Sequence, residues 1–307
     1  MMPNEEVIRR DASASRSDTG KGATFGIAKP AWLRRSILSS EKIEDTRRLL
    51  RHFSLNTVCE SARCPNLCEC FDKGVATFII MGSVCARGCG FCAVKKGKPE
   101  PLDSSEPSRI YEAVRTLRLR YIVITSVTRD DLADGGASHY ADVIRYLRGR
   151  LDDIKIEVLV PDFGAREEPL KAIYNAKIDV FAHNIDTVRR LYKSVKPNSD
   201  YETSLRTLKM AETLSESIPT KSGLMLGLGE TEKETLTAME ELREAGCDII
   251  TLGQYLRPAT DKLKEHEFVS PKTFEKYEEI AYNLGFTSVS SGPFVRSSYH
   301  ITCFDTA

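Results

Sequence analysis

The chain has 307 residues, 41% of them hydrophobic, which is enough to bury one large core of the size found in a single α/β barrel. Lysine plus arginine equals aspartate plus glutamate at 44 each, so net charge gives no argument for nucleic-acid or membrane partners. The longest apolar runs are strand-sized and the N-terminus lacks an apolar signal-peptide stretch, so we expect a soluble cytoplasmic protein.

The first part of the chain changes character near residue 29. Residues 1–28 are polar, rich in Ser, Asp and Arg, and without periodicity, which predicts a mobile tail. Apolar residues at near-helical spacing then predict a short helix over 41–53. A dense cysteine segment follows, in which Cys59, Cys64 and Cys70 have the spacing Cys-x4-Cys-x5-Cys and Cys68 is an additional thiol.

A second cysteine motif lies fifteen residues further on. Cys85, Cys89 and Cys92 have the spacing Cys-x3-Cys-x2-Cys, so three thiolates can bind three irons of a four-iron cluster and leave the fourth iron open to a small molecule. Structural zinc is the alternative, but such sites favour four protein ligands and paired Cys-x2-Cys units. Seven of nine cysteines lie between Cys59 and Cys92, which indicates metal binding or catalysis and not a disulfide framework.

Beyond residue 75, short β-branched runs alternate with longer helical patterns, which predicts a parallel sheet. The predicted strands are 76–81, 121–127, 155–160, 179–183, 221–228 and 248–252. The predicted helices are 107–119, 138–150, 166–175, 187–192, 201–215, 232–245 and 271–284. The pattern alone fits a barrel or a doubly wound sheet. Polar residues such as Asp130, Asp131 and Asn184 follow the predicted strands, where α/β folds place their sites.

The second motif resembles the signature of the radical S-adenosylmethionine enzymes, and the two cysteine groups together resemble the lipoyl synthases. Residues 296–299, Arg-Ser-Ser-Tyr, are similar to the C-terminal motif of that family, although Ile301 departs from its usual continuation. The likeness extends from Trp32 nearly to the end of the chain.

The resemblance implies a partial (β/α)6 TIM-like barrel over 75–285. An N-terminal extension, 29–74, and a C-terminal extension, 286–307, would carry an auxiliary iron–sulfur cluster.

The resemblance also implies an activity, that of a sulfurtransferase. A 4Fe-4S cluster on Cys85, Cys89 and Cys92 would cleave S-adenosylmethionine, and the radical formed would abstract hydrogen from a protein-bound octanoyl chain. A second 4Fe-4S cluster would donate sulfur to C6 and C8. Its ligands would be Cys59, Cys64, Cys70 and Ser298, with Ser297 as the alternative serine.

Single-residue roles implied by the resemblance are less specific. Phe91 would lie beside the adenine, Asp130 and Asp131 would bind the cationic parts of S-adenosylmethionine, and Asn184 would bind its ribose or carboxylate. Arg296 would position the substrate amide or the cluster. Surface or structural roles remain open for each of these residues.

The implied partners are octanoylated carrier domains, namely the E2 subunits of 2-oxoacid dehydrogenases and the H protein of glycine cleavage. A ferredoxin- or flavodoxin-type reductant and an iron–sulfur carrier protein would support turnover, and we expect a monomer. Two other functions stay open: another radical S-adenosylmethionine enzyme that inserts sulfur into RNA or a peptide, and an electron-transfer protein of ferredoxin type.

Overall fold

The computed structural model describes residues 29–34, 41–61, 64, 66–72 and 75–298. Eight strands form one sheet, and they lie side by side in the order in which they occur along the chain. They are β1 Asn56–Thr57, β2 Val75–Ile80, β5 Tyr121–Ser126, β6 Lys155–Leu159, β7 Val180–Ala182, β8 Thr220–Leu226, β9 Ile249–Gln254 and β10 Ser288–Gly292. Every pairing is parallel except that of β1 with β2. Strands β3 Val84–Cys85 and β4 Lys95–Lys96 form a separate parallel pair.

The first helix precedes the first strand, and the other helices lie in the connections between strands. In chain order the helices are α1 Glu41–His52, α2 Val58–Ser61, α3 Leu67–Asp72, α4 Glu106–Leu117, α5 Ala137–Arg148, α6 Glu167–Tyr174, α7 Tyr192–Val195, α8 Tyr201–Leu214, α9 Glu232–Glu244 and α10 Pro271–Asn283. Local chemistry starts several of them: Thr231 forms a capping box with Glu234 at α9, and the Ser270 side chain accepts from the third residue of α10.

The order of the strands distinguishes a barrel from a doubly wound sheet. A doubly wound sheet reverses its strand order at a switch point, whereas here each new parallel strand is added beside the last. Strands β1 and β10 form the two edges, so the barrel stays partial. Apolar residues pack between strands and outer helices, and a smaller cluster around Val75, Tyr121, Val180 and Ile249 brings residues of four different strands together.

The structure confirms the six predicted strands, with bounds shifted by at most two residues, as β2 and β5–β9. It also confirms seven of the eight predicted helices, with similar shifts, as α1, α4, α5, α6, α8, α9 and α10. The helix predicted over 187–192 is wrong, because the backbone of Asp186 bonds to Gly223 and Met225 of β8 and, with a φ of 66°, turns the chain there. A short 3-10 turn and α7 follow at Arg189–Leu191 and Tyr192–Val195.

The sequence pattern did not predict β10, a seventh parallel strand within the residues assigned to the C-terminal extension. The expected mobile tail, 1–28, lies outside the described residues. Over the part of the chain that the structure describes, no helix combines the length and the apolar character needed to cross a bilayer.

Candidate active site

The second cysteine motif follows β2 directly, at the carboxyl edge of the sheet. Met81, the first residue after the strand, has a φ of 68°, a left-handed conformation that turns the chain out of the sheet. Cys85, Cys89 and Cys92 follow, all half-buried. We call residues 81–92 the cysteine loop. Its position is the one that α/β barrels use for their active sites.

The three thiols of the cysteine loop lie close enough to affect one another's ionisation. Burial raises the pKa of Cys89 to about 12, and Asp186 and the other two thiols act in the same direction. Burial also raises the pKa of Cys92, with Cys85 acting in the same direction. The backbone N–H of Thr128 donates to Cys85 Sγ at 3.3 Å. A bound cation would stabilise these thiols as thiolates, so the site suits an iron–sulfur cluster.

The arrangement of ligands differs from that of a single-ion site. Among the described residues, no three His, Cys, Asp or Glu side chains are placed to bind one metal ion together. In a four-iron cluster each thiolate binds a different iron, so its cysteines lie farther apart than the ligands of one ion. The spread of the thiols is therefore compatible with a cluster.

Arg87, inside the motif, ties the cysteine loop to two neighbouring strand ends. Its guanidinium donates to Asp130, in the loop after β5, at 2.9 Å, and to Asp162, after β6, at 3.0 Å. The Asp162 side chain is 5% exposed, whereas that of Asp130 is 48% exposed. Although burial acts in the opposite direction, Arg87 lowers the pKa of Asp162 to about 2. Asn198 Nδ2 donates to the Arg87 carbonyl at 2.7 Å.

A buried carboxylate at the start of α4 fixes the first residue of the cysteine loop. The backbone N–H of Met81 donates to both oxygens of Glu106, at 3.2 and 3.0 Å, and His139 Nε2 of α5 lies 2.6 Å from Glu106 Oε2. A Cβ at Gly136 would collide with the Met81 sulfur, so only glycine at this position leaves room for the Met81 side chain. These contacts hold Met81 in its left-handed conformation.

A buried polar atom without a partner lies after β7. Asn184 Oδ1 has no hydrogen-bond partner among the described residues. It lies 3.2 Å from the position that a Cβ at Gly223 would take, and Ser297 Cβ lies 3.3 Å from the same position. An unpaired buried carbonyl oxygen costs free energy, which a ligand hydroxyl or ammonium group would offset by donating to it. Asn184 therefore fits a polar group of a bound cofactor.

A buried ion pair lies between Asn184 and the cysteine loop. Lys196 Nζ lies 2.9 Å from Asp186 Oδ2 and donates to the Asn184 carbonyl at 3.0 Å. Burial raises the pKa of Asp186, an effect that Lys196 opposes. Both charges affect the pKa of Cys89, so the pair lies beside the cysteine loop.

The first cysteine group lies on and between two short helices that pack on β2. It meets residues 293–298, which we call the C-terminal segment. Cys59 is buried in α2, Cys70 lies in α3, and Cys64 lies between them. Burial raises the pKa of Cys59 to about 11, with Cys64 acting in the same direction. Asn66 Nδ2 donates to the carbonyl of Phe294, 228 positions away, at 2.6 Å. We call Cys59, Cys64 and Cys70 the extension cysteines.

The C-terminal segment returns across the sheet edge to reach them. Its Val295 carbonyl lies against Gly253 of β9, where a Cβ would collide with it. Arg296 follows; burial lowers its pKa, and the nearby Cys64 opposes this shift. Ser298 is half-buried two residues later, and Tyr299 of the predicted motif lies outside the described residues. Cys64 and the serine-bearing segment are thus brought together from opposite ends of the chain.

Comparisons with known proteins show the family to which the chain belongs. The Radical SAM superfamily model matches residues 79–242. The lipoyl synthase of Caldanaerobacter subterraneus subsp. tengcongensis is 53% identical over 274 residues, which cover 89% of this chain and 96% of that protein. The lipoyl synthase of Thioalkalivibrio sulfidiphilus is 50% identical over 275 residues, 89% of this chain and 86% of that one. The chain belongs to the lipoyl synthase family.

Solved structures support the fold of this lipoyl synthase family member. Methylornithine synthase, PylB, aligns with a TM-score of 0.53 at 13% identity over 81% of both chains. HydG, a maturase of the FeFe hydrogenase, aligns with a TM-score of 0.55 at 16% identity over 81% of this chain and 67% of its own. The predicted TIM-like partial barrel is confirmed. Membership of the radical SAM superfamily implies one 4Fe-4S cluster and S-adenosylmethionine.

The predicted contacts to S-adenosylmethionine remain predictions for this family member. Phe91 is half-buried in the cysteine loop, and Asn184 has a free oxygen. Asp130 pairs with Arg87, and Asp131 pairs with Arg129 at 2.8 Å. Both carboxylates therefore have arginine partners that the sequence did not predict.

Three smaller predictions have different outcomes. From the sequence, the isolated Cys247 is predicted to be a core residue and the isolated Cys303 a tail residue. Cys247 is fully buried, whereas Cys303 lies outside the described residues. The sequence of the glycine-rich run, residues 222–230, is compatible with close approach of a cofactor or with close strand–helix packing. A Cβ at Gly227 would lie 2.5 Å from the Glu267 carbonyl, which supports packing.

Proposed function

We propose that the chain inserts two sulfur atoms, at C6 and C8, into an octanoyl chain that a lysine of a carrier domain holds in amide linkage, and so forms lipoyl-lysine. Family membership supports this proposal, and so does one structural observation: both cysteine groups lie near the carboxyl ends of the strands. The cysteine loop leaves β2, while the C-terminal segment lies over β8 and β9 beside Cys64. A reaction that needs both hydrogen abstraction and a sulfur source requires two such sites at one cavity.

The donor sets suit two clusters. We assign a SAM-binding 4Fe-4S cluster to Cys85, Cys89 and Cys92, and an auxiliary 4Fe-4S cluster to Cys59, Cys64, Cys70 and Ser298. When bound, the first with S-adenosylmethionine supplies the radical that removes hydrogen from the octanoyl chain, and the second supplies the inserted sulfide. A serine oxygen is a harder and weaker iron ligand than a thiolate, which suits a cluster that must give up its sulfur.

The chain's own residues bind and orient the reactants. Asn184 Oδ1 accepts a hydrogen bond from the ribose or amino group of S-adenosylmethionine, and Phe91 packs beside the adenine. Asp130 is half-exposed, and its carboxylate has lone pairs left beyond those that accept from Arg87. It attracts the cationic end of the cofactor. Arg296, buried near Cys64, positions the substrate amide.

The partners follow from the substrate and from the fate of the auxiliary cluster. We propose E2 subunits of 2-oxoacid dehydrogenases and the glycine cleavage H protein as carriers, in the cytoplasm. A ferredoxin- or flavodoxin-type protein supplies electrons, an iron–sulfur carrier protein rebuilds the auxiliary cluster, and the enzyme works as a monomer.

The experiment is a single turnover with labelled sulfide. The protein is reconstituted with isotopically labelled sulfide and incubated with S-adenosylmethionine, reductant and an octanoyl-lysine peptide. The expected result is a peptide carrying two labelled sulfur atoms, detected by mass spectrometry. Cys64→Ala should abolish this gain, because it removes one of the three extension thiols. Cys68→Ala is the matched control, since Cys68 is a nearby thiol, in α3, and is not assigned as a ligand.

Two results would contradict the proposal. If 5′-deoxyadenosine forms while the peptide keeps its mass, the radical chemistry is present but the substrate is wrong. If Cys68→Ala loses sulfur transfer as Cys64→Ala does, the ligand assignment is wrong.

A further inference from the structure

Three lysines that have no ion-pair partner among the described residues flank the cysteine loop. Lys95 and Lys96 form β4, which pairs in parallel with β3, so that Lys96 lies opposite Cys85. The backbone N–H of Gly97 donates to the Cys85 carbonyl at 3.0 Å. Lys98 follows. We call Lys95, Lys96 and Lys98 the lysine strip.

The lysine strip is a local excess of positive charge on a chain with no net charge. Residues 95–102 contain three lysines and one glutamate, so 3 − 1 gives a net charge of +2, against +0 for the whole chain. All three lysines are exposed, and no ion pair joins them to a described residue. The nearby Asp103 does not neutralise them, because it pairs with Arg109 at 2.6 Å.

An exposed apolar side chain lies at the end of the same segment. Leu102 is 41% exposed, and within the described residues Tyr282 is the other large hydrophobic side chain with comparable exposure. Unpaired cations that border an exposed apolar residue are typical of a docking surface for an acidic protein, since the charges steer the encounter and the apolar residue adds contact.

We propose that the lysine strip and Leu102 form the docking surface for a small acidic electron-donor protein of the ferredoxin class. The inference rests on the proposed function. Each encounter transfers one electron: the donor protein is oxidised by one electron, and the enzyme gains that electron at the cysteine loop. The electron is consumed when the carbon–sulfur bond of one S-adenosylmethionine is cleaved to methionine and the deoxyadenosyl group. Formation of one lipoyl group thus needs two encounters.

Proximity favours an electron donor over the carrier domain. The lysine strip is one strand away from the Cys85 backbone, a separation of about 4.8 Å between paired strands. An electron donor needs only a short path to the cluster ligands and no opening into the barrel. The octanoyl chain must instead reach the neighbourhood of Cys64 and Arg296, where the C-terminal segment lies over β8 and β9.

The size of the surface also suits an electron donor. Three lysines and one leucine within eight residues form a small patch, and redox partners have interfaces below about 1,200 Å² that associate quickly and release quickly. The stem of Lys96 lies over Gly88, where a Cβ would be 2.5 Å from Lys96 Cδ, so the strip covers the loop directly.

The test compares binding by two triple variants with both clusters reconstituted. In the first, Lys95, Lys96 and Lys98 are replaced by Glu. In the matched control, the exposed lysines Lys177, Lys233 and Lys272 on other elements are replaced by Glu, which gives the same change in net charge. The affinity for a dye-labelled, oxidised acidic ferredoxin is measured by fluorescence anisotropy at about 50 mM and about 300 mM salt. Reduced ferredoxin and dithionite are then compared as electron sources for 5′-deoxyadenosine formation.

The lysine-strip variant should bind ferredoxin about tenfold more weakly at low salt and lose most of the salt dependence. It should form 5′-deoxyadenosine normally with dithionite, and the control should match the unmodified protein. Equal ferredoxin affinity for the two variants, or no binding by the unmodified protein, would overturn the inference. So would a variant that loses affinity for an octanoylated carrier domain and keeps it for ferredoxin.

Failure of the proposed function would look different. The unmodified protein would form 5′-deoxyadenosine with dithionite without adding sulfur to an octanoyl peptide, whatever the ferredoxin measurement shows.

Discussion

The two cysteine groups of this chain are held in different ways. The cysteine loop is fixed by side chains of the barrel itself: Arg87 reaches two strand ends, and Glu106 of α4 holds Met81. Two of the extension cysteines lie on helices of four and six residues, with Cys64 between them, and their contact with the C-terminal segment includes the Asn66–Phe294 hydrogen bond. One group is pre-organised by the core, whereas the other is assembled from both ends of the chain.

The difference suits the roles proposed for the two groups. A cluster that cleaves S-adenosylmethionine repeatedly needs ligands locked by packing and hydrogen bonds. A cluster that is dismantled and rebuilt needs ligands that open at a low cost in free energy, and short helices with few tertiary contacts open most easily. Variants that weaken one set of contacts should therefore affect one cluster and spare the other.

The largest effect is expected from Arg87→Ala. The change leaves the carboxylate of Asp162 buried without its partner, and breaking a buried ion pair costs about 3 kcal/mol of unfolding free energy. We expect this loss in anaerobic urea unfolding, together with loss of iron from the cysteine loop. Arg115→Ala, which breaks a solvent-exposed pair with Glu112, should cost much less, because water screens that pair. Equal costs for the two variants would contradict the assigned role of Arg87.

Glu106→Ala should have the next largest effect. It leaves the Met81 N–H and the His139 ring without a partner in a buried site, at a cost of about 2 kcal/mol. Glu106→Gln keeps one acceptor for Met81 and should recover part of the loss. Iron per chain, measured in a Cys64→Ala background in which the auxiliary site is disabled, should fall in the order Glu, Gln, Ala. Full iron content in Glu106→Ala would contradict the proposed role of Glu106 in holding the cysteine loop.

Much of the fold follows from the sequence because barrel strands and outer helices carry strong periodic signals. The runs near 75–80 and 121–126 are mainly apolar and rich in β-branched residues, and both are strands. The strand Ser288–Gly292 was missed because its polar residues lack that signal, and it forms only by pairing with Ile249–Gln254. The segment 187–192 has a helical pattern, but tertiary pairing at Asp186 overrides it.

The site was predictable to the extent that its residues share a motif. Cysteine spacing identifies both groups, because ligand spacing is a local property of the chain. Glu106 and His139 had no such signal: they act on Met81 across 25 and 58 positions, through contacts that only the packing of α4 and α5 creates. Arg87 was predictable in one respect: an arginine between predicted cluster ligands needs a carboxylate partner. The sequence alone does not show that Asp130 and Asp162 are those partners.

His183 directly follows β7 and belongs to the barrel, as the cysteine loop does. We expect this residue to cause a loss of folding stability in acid. Burial lowers its pKa to about 4, and Lys196 acts in the same direction. Between pH 6.5 and about 4 the unfolded chain therefore binds a proton that the folded chain does not. Stability contributed by this group should fall with decreasing pH, by roughly 1 kcal/mol per pH unit. His183→Gln should flatten this part of the pH profile of unfolding, and an unchanged slope would contradict the assignment.

The smallest effect on stability, and the most selective, is expected from Asn66→Ala. The change removes a hydrogen bond to the Phe294 carbonyl and should cost about 1 kcal/mol of unfolding free energy. Because that bond joins the extension cysteines to the C-terminal segment, the auxiliary cluster should lose iron on exposure to a chelator several times faster, while the cluster on the cysteine loop keeps its rate. Asn198→Ala is the matched control: it removes a hydrogen bond of similar length to the Arg87 carbonyl, and so should loosen the other group. If both variants release iron from the same cluster, the two groups are not held independently, and the division between a core-fixed site and an end-assembled site fails.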